Sequence, residues 1–259
     1  MRVDLKGRVA LVTGAAGTIG CAIIRRLSDN GASVVVADIN REGAEAAAAE
    51  LPDAIASVID ISSKDSAERG VAEAIARFGR IDILVNNAGV NSFVHRVNID
   101  AFPLAEWERI TRIDLDGLYL MSQAALQPML KQGDGGRIIN IASVVGLAAM
   151  RLQSPFVAAK AGIIHMTRSM ALELGPQGIL TNAIAPGSIM SEGTRSLFYG
   201  ADGKFAGRTA EFMEHLPLGR PGTADEIAES VLFLSSPSAS YINGQILAVD
   251  GGWTAGYMM

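Results

Sequence analysis

The sequence predicts an α/β fold with a parallel, doubly wound sheet and helices on both faces. Short β-branched runs alternate with longer helical patterns, and 49% of the 259 residues are hydrophobic while only 19% are charged. The alternation is typical of stacked βαβ units, and the apolar surplus fits a sheet covered on both faces or a buried oligomer interface. An α/β chain of this length often forms one domain, so we predict a single domain over 1–259.

The apolar runs predict about seven strands. These are Val9–Val12, Ser33–Ala37, Ile55–Ile59, Ile81–Val85, Arg137–Ile141, Leu180–Ile184 and Gln245–Val249. Between them, helices are predicted over Ile19–Asn30, Arg41–Leu51, Ser66–Phe78, Leu104–Lys131, Pro155–Leu174 and Ala224–Leu234. The segment Gly187–Leu218 breaks the order. A connection of this length inside a domain is usually functional or mobile.

Composition argues against several kinds of partner. The net charge is −5 and basic residues are not clustered, so we expect no nucleic-acid partner. No apolar stretch approaches the roughly 20 residues of a membrane span, and we expect neither a span nor a signal peptide. Cys21 is the only cysteine, which excludes an intrachain disulfide and fits a reducing cytoplasm. His95, His165 and His215 lack metal-ligand spacing, so no catalytic metal is expected, and His165 is expected to be packed.

The first strand leads into a glycine-rich turn, Thr13–Gly20, that opens a helix. Such a turn lets the backbone approach a pyrophosphate, whose charge is met by the N–H groups of the helix start. Asp38 ends the next strand, where an acid accepts hydrogen bonds from the ribose hydroxyls of NAD and repels the 2′-phosphate of NADP. Together these features predict a Rossmann-type site that binds NAD. Arg41 follows closely and is expected to be a surface residue, with some tolerance for NADP as the alternative.

Further motifs follow this turn along the chain. They are Asp60-Ile61, Asn86-Asn87-Ala88-Gly89 after the fourth strand, Ser143 after the fifth, Lys160 in the next helix, Pro186-Gly187, Gly244 and Asp250-Gly251-Gly252. With the first turn, they resemble the short-chain dehydrogenase/reductase family over essentially the whole chain. The resemblance implies cofactor contacts at Gly14, Gly17, Thr18, Ile19, Asp38, Asp60, Ile61, Asn87, Ala88, Gly89, Lys160, Pro186, Gly187 and Ile189.

The resemblance also implies a mechanism. A tyrosine phenol exchanges a proton with the substrate hydroxyl, a lysine lowers the pKa of that phenol and holds the nicotinamide ribose, and a serine steadies the substrate oxygen. Ser143 and Lys160 fit these roles, but Phe156 stands where the tyrosine is expected. Asp114 stands where the family commonly has asparagine; an aspartate accepts hydrogen bonds but lacks the amide donors, which weakens the implied proton relay. The alternative for Asp114 is a helix residue that is hydrogen-bonded locally. Thr18 replaces the second turn glycine, and Gly17 is expected to supply the flexibility.

Phe156 admits three interpretations. An experimenter would choose Tyr→Phe to trap a substrate, because it removes one hydroxyl and keeps the ring; we favour this engineered, inactive form of an enzyme. The second is a natural pseudoenzyme that keeps the NAD pocket for a regulatory role. In the third, water or another group carries the proton.

The expected reaction is hydride transfer between a nicotinamide and a secondary alcohol or ketone. Asn91, Ser92, His95 and Arg96 near the site favour a sugar, polyol or similar small hydroxylated metabolite. A 3-oxoacyl thioester reductase is the enzymatic alternative, although it would more often use NADP. The resemblance further implies a homotetramer and a substrate-covering segment at 188–215.

Overall fold

The computed structural model describes residues 2–92, 94–190 and 216–256. Within these ranges seven parallel strands form one sheet in the order β3-β2-β1-β4-β5-β6-β7. The strands are β1 Val9–Thr13, β2 Ser33–Asp38, β3 Ala54–Val58, β4 Ile83–Asn86, β5 Gly136–Ile141, β6 Ile179–Pro186 and β7 Ile246–Val249. The predicted fold class is confirmed, and the strand boundaries differ from the predicted ones by one or two residues.

Helices connect the strands. They are α1 Thr18–Asp29, α2 Arg41–Ala49, α3 Lys64–Phe78, α4 Leu104–Thr111, α5 Gly117–Gln132, α6 Ser154–Leu174 and α7 Ala224–Ser235. The single helix predicted over Leu104–Lys131 is divided, because a π-helical turn, Arg112–Asp116, joins α4 to α5. Within the described ranges, no helix is both long enough and apolar enough to span a membrane.

The two faces of the sheet carry separate apolar cores. All residues of β1 are buried, and successive side chains point to opposite faces. Ala10 and Val12 therefore pack with α1 and α7 on one face. Val9 and Leu11 pack with α3, α5 and α6 on the other. This double coverage explains why the strands are apolar at nearly every position rather than at alternate ones.

The strand order changes direction at β1. This strand pairs with β2 on one side and with β4 on the other, so the connections leave it toward opposite edges of the sheet. In open α/β sheets, ligands bind in the crevice outside the carboxyl ends of the strands at such a point. The fold therefore directs attention to the residues that follow β1 and β4.

A buried polar network fixes the middle of the sheet against the helices. The Asn86 amide donates to Ser122 Oγ and to Asn140 Oδ1, both at 2.9 Å. The Asn140 amide donates in turn to Thr167 Oγ1 at 2.9 Å. These bonds join β4, β5, α5 and α6, and they give the elements around the crevice one fixed arrangement.

The expectation for His165 was wrong. It lies exposed on α6, with Nε2 3.5 Å from Arg168 Nη1. His215 and most of the predicted substrate-covering segment lie outside the described residues.

Candidate functional site

A cavity of about 770 Å³ lies at the carboxyl ends of the strands. Ser143 and Phe156 line it together with all the residues that were expected to contact the cofactor. The latter are Gly14, Gly17, Thr18, Ile19, Asp38, Asp60, Ile61, Asn87, Ala88, Gly89, Lys160, Pro186, Gly187 and Ile189. Asp114 lies behind the wall and is only 1% exposed. One cavity thus brings together residues that are far apart in the sequence.

The glycine-rich turn forms one end of the cavity. Gly14 has a φ of +62°, and a Cβ there would lie 2.8 Å from Ala88 Cα, so both the backbone and the space require glycine. Gly17 is the N-cap of α1 with a φ of −80°, which any residue can adopt. The expectation that Gly17 supplies special flexibility was wrong. What it contributes is the lack of a side chain beside the first N–H groups of α1, which suits an anionic ligand.

Asp38 lies beside this turn at the end of β2. Its Oδ2 accepts a hydrogen bond from the Ala16 N–H at 3.0 Å, and its Oδ1 accepts one from the Asn40 N–H at 2.9 Å. The carboxylate is thereby held at the cavity wall. Arg41 is exposed and its Nη1 lies 3.5 Å from Glu45 Oε1, as expected for a surface residue.

Asn87 joins the turn to β4. Its amide nitrogen donates to the carbonyls of Thr13 and Gly14, at 2.9 and 3.0 Å. Its backbone N–H donates to Thr13 Oγ1 at 3.0 Å. Asn87 lines the cavity, but its amide nitrogen is used to hold the turn against the end of β4.

Asp60 closes the same end of the cavity after β3. Its Oδ1 accepts hydrogen bonds from the Ser62 N–H and Oγ, at 2.9 and 2.7 Å. The Asp60 N–H donates to Ser66 Oγ at 3.0 Å. These local bonds order the segment between β3 and α3, where Asp60 and Ile61 face the cavity.

Ser143, Phe156 and Lys160 meet at the other end. Ser143 follows β5, and its Oγ accepts a hydrogen bond from the Val145 N–H at 3.3 Å. Phe156 and Lys160 are one turn apart on α6 and so share a helix face. Lys160 Nζ lies 5.4 Å from the centroid of the Phe156 ring. At this end of the cavity Phe156 therefore presents an aromatic ring that has no proton to exchange.

Lys160 and Asp114 form a buried ion pair. Lys160 Nζ lies 3.2 Å from Asp114 Oδ2, and the two side chains are 7% and 0% exposed. Nζ also donates to the Ile141 carbonyl at 3.3 Å, while Asp114 Oδ1 accepts from the Val90 N–H at 2.6 Å. Asp114 is therefore not a helix residue bonded only to its sequence neighbours, because its carboxylate contacts Val90 and Lys160 on distant segments of the chain.

The sequence interpretation missed several lining residues. Ile39 and Asn40 directly follow β2, Ile59 follows β3, and Ala142 follows β5. All of them occupy the carboxyl ends of strands, so the rule that ligands bind there could have found them. Asn91 lines the cavity as expected, and its amide donates to Gln153 Oε1 at 3.0 Å.

His95 and Arg96 were expected near the site. Both are half-buried, and the described residues that line the cavity do not include them. The His95 N–H donates to Ser92 Oγ at 3.0 Å, and its ring meets that of Phe102 edge-on with centroids 6.4 Å apart. Within the described part of the chain, no group of three or more His, Cys, Asp or Glu side chains could hold a metal ion.

Comparison with known proteins agrees with this geometry. The sequence model of the family described as enoyl-(acyl carrier protein) reductase matches residues 14–254. A 3-oxoacyl-acyl-carrier-protein reductase of Chlamydia muridarum is 36% identical, over 96% of this chain and 98% of that protein. The chain belongs to the short-chain dehydrogenase/reductase family. A sorbitol dehydrogenase of Cereibacter sphaeroides, 39% identical over 97% and 98% of the two chains, is similar along the same length.

Solved structures of oxidoreductases share the fold of this chain. The crystal structure of levodione reductase has a TM-score of 0.90 at 35% identity, covering 98% of this chain and all of that one. A gluconate 5-dehydrogenase from Burkholderia cenocepacia, in complex with NADP and tartrate, has a TM-score of 0.89 at 34% identity, covering 98% of each chain. The chain therefore belongs to a family of oxidoreductases whose fold binds a nicotinamide cofactor.

Proposed function

We propose that this chain binds NAD(H) and is built for hydride transfer between the nicotinamide and a secondary alcohol or ketone, with turnover impaired by Phe156. The observation that carries the proposal is the single cavity that joins the glycine-rich turn and Asp38 to Ser143 and Lys160. Its volume, about 770 Å³, suits a dinucleotide together with a small substrate.

The residues present fit an NAD molecule. The turn from Gly14 to Thr18 offers N–H groups for the pyrophosphate, and Asp38 offers carboxylate oxygens for the adenosine ribose. Lys160 has three donors and uses one on the Ile141 carbonyl, which supports a contact with the nicotinamide ribose. Bound NAD supplies the acceptor of the hydride, and NADH supplies its donor.

We also propose that Asp38 makes the site prefer NAD over NADP. A 2′-phosphate would bring negative charge next to this carboxylate, and Arg41 is turned toward Glu45. The gluconate dehydrogenase relative was solved in complex with NADP, so NADP is the cofactor against which this preference has to be measured.

The proposed chemistry assigns the chain's residues as follows. Ser143 hydrogen-bonds to the substrate oxygen and holds it near the cofactor, while Lys160 orients the ribose. At position 156 the ring keeps the shape of the site but exchanges no proton. A positioned acid/base group contributes about two to four powers of ten in rate, so turnover is expected to be slow.

For the substrate we propose a small hydroxylated metabolite such as a sugar or polyol. Asn91 gives the substrate end a polar group, and the similarity to the sorbitol dehydrogenase supports this class. The second candidate is a 3-oxoacyl thioester, supported by the similarity to the Chlamydia reductase. The two substrate classes differ in size and charge and can be compared directly.

Reversion at position 156 tests the proposed function. The parent chain is first titrated with NADH, and absence of binding would refute the proposal. Turnover is then measured for the parent and for Phe156→Tyr with a polyol and ketose pair, a cyclic ketone and a 3-oxoacyl thioester. We expect Phe156→Tyr to raise ketone reduction by about 10²- to 10⁴-fold with one substrate class.

The control is Phe78→Tyr, which places a phenol on α3, away from the cavity, and should leave turnover unchanged. Bound NADH with an inert reversion across the panel would instead support an NAD-binding pseudoenzyme.

We further propose that 188–215 covers the substrate. Pro186, Gly187 and Ile189 line the cavity, so the chain enters this segment from the cavity wall. The test is to delete the segment from the Phe156→Tyr variant and to measure turnover. Unchanged turnover after the deletion would contradict this role.

A cytoplasmic homotetramer is proposed as the working form. Tyr119 and Leu130 on α5 and Leu172 on α6 are exposed at 49%, 42% and 81%, which supports helix-mediated assembly. The lone Cys21 fits a reducing compartment. A mass in solution of 27.1 kDa, that of one chain, would contradict the assembly.

A further inference from the structure

The buried pair of Lys160 and Asp114 joins the two positions where the chain departs most from its family's catalytic pattern. Asp114 lies in the π-helical turn and touches Lys160, and Lys160 lies 5.4 Å from the ring centroid of Phe156. The residue that replaces asparagine thus contacts the lysine whose charge would activate a phenol at position 156.

The pair is held in one geometry from both sides. Val90 donates to Asp114 Oδ1 at 2.6 Å, and Lys160 donates to the Ile141 carbonyl at 3.3 Å. A Cβ on Gly89 would lie 3.2 Å from Lys160 Nζ and 3.3 Å from both carboxylate oxygens of Asp114. The backbone at 89 therefore lies directly against both charges.

Lys160 is the cation that balances Asp114. Lys160 Nζ lies 3.2 Å from Asp114 Oδ2, and no ion pair of Asp114 with another cation is found among the described residues. Arg109 on α4 also interacts electrostatically with Asp114, but its guanidinium donates hydrogen bonds to Glu106 at 2.7 and 2.8 Å. The apolar side chains around Phe156 add no charge; they are Val144, Val145, Met150, Val157, Ala185, Ile246 and Trp253.

We propose that Asp114 is a positioning residue that neutralises Lys160, so that the cavity presents no net positive charge to the group at position 156. The inference rests on the proposed function, since it concerns the proton-exchanging position of the same site. A buried cation and anion in contact act on a third group nearly as a neutral dipole, whereas an unpaired buried cation would act as a full charge.

The pairing bears on the origin of Phe156. A laboratory exchange of tyrosine for phenylalanine alone would leave position 114 as it was in the active enzyme. Here a second departure, at Asp114, contacts the same lysine. A carboxylate that balances a lysine with no phenol to serve is the arrangement that natural divergence predicts, and this origin of Phe156 stands beside the engineered form favoured by the sequence.

The experiment measures the ionisation of a phenol placed at position 156. The protein has four tyrosines, so Phe156→Tyr with tyrosine labelled by ¹³C at Cζ adds one signal that can be titrated by NMR. In Phe156→Tyr we expect its pKa near the ordinary value of about 10. In Phe156→Tyr with Asp114→Asn we expect a pKa about one to three units lower, because Lys160 is then unbalanced. Equal pKa values in the two proteins would overturn the proposal.

A second comparison does not depend on Asp114→Asn folding by itself. Phe156→Tyr with both Asp114→Asn and Lys160→Met replaces the ion pair by two neutral groups and leaves no unpaired buried charge. We expect this protein to share the phenol pKa of Phe156→Tyr alone. A pKa about one to three units above that of Phe156→Tyr would show that Asp114 had not cancelled the charge of Lys160.

These titrations need neither substrate nor cofactor. A protein that binds no NADH but shows the expected pKa difference would refute the proposed function and leave the role of Asp114 standing. A protein that binds NADH and is reactivated by Phe156→Tyr, but shows no difference, would do the reverse.

Discussion

At the scale of single residues, the proposed preference for NAD rests on one carboxylate, that of Asp38. Asp38 contacts the backbone of both the glycine-rich turn and the start of α2, so it is fixed before any ligand arrives. A fixed charge costs no reorganisation when it meets a ribose hydroxyl, and it repels a phosphate at the same place.

Asp38→Asn tests this preference. The amide keeps an oxygen that can accept from the Ala16 N–H but removes the negative charge. We expect the parent to bind NADH more tightly than NADPH and the variant to reduce that ratio by about tenfold or more, the equivalent of about 1.4 kcal/mol. Calorimetric titration with both cofactors measures it. Glu42→Gln removes an equal charge from the exposed start of α2 and should leave the ratio unchanged. A preference for NADPH in the parent would contradict the assignment.

At the scale of elements, the sequence predicted the strands and the turn well, because buried β-branched runs and glycine at a positive φ are local signals. The site residues that follow strands could be placed by the same local signals. The π-helical turn at Arg112–Asp116 could not. Its cause is tertiary: Asp114 binds Val90 and Lys160, which lie on two other segments of the chain. The apolar pattern on either side is helical throughout, so a continuous helix was predicted.

The end of the site at Ser143 and Lys160 also combines features that the local sequence predicts with features that only tertiary contacts determine. Ser143 and Lys160 were identified by their order along the chain, and both line the cavity. Their electrostatic setting was not predictable, because the partner of Lys160 comes from a turn that precedes it by more than forty positions in the sequence. Pairing of buried charges is decided by packing and not by local pattern.

At the scale of the whole molecule, the amino ends of the strands carry a charge cluster that serves stability. Asp82 precedes β4 and its side chain is 4% exposed. It accepts hydrogen bonds from Arg80 at 2.6 and 2.8 Å, from Arg8 at 2.8 Å and from the Val9 N–H at 2.9 Å. The cluster ties β1 to β4 at the end of the sheet opposite the cavity.

The acid stability of the fold is expected to depend on this cluster. Burial alone would raise the pKa of the Asp82 carboxyl, but the hydrogen bonds from Arg80, Arg8 and Val9 outweigh burial and hold the pKa below its ordinary value of 3.8. Since the pKa is lower in the folded state, the stabilisation is complete above about pH 4 and is lost as the pH falls through the folded-state pKa. Glu106 and Glu226 each have a pKa lowered to about 2 by an arginine partner, so they contribute to the same loss of stability at low pH.

Asp82→Asn separates the contribution of the cluster from that of the other carboxylates. At pH 7 we expect it to lower the free energy of unfolding by about 2 kcal/mol, because hydrogen bonds to a buried charged acceptor are lost. The difference between parent and variant should shrink below pH 4, as Asp82 of the parent becomes protonated. Urea unfolding across this pH range measures both effects. Asp134→Asn removes the exposed partner of the same Arg80, at 3.2 Å, and should cost less than about 1 kcal/mol. A difference between parent and Asp82→Asn that stayed constant down to pH 2 would show that the charge of Asp82 does not stabilise the fold.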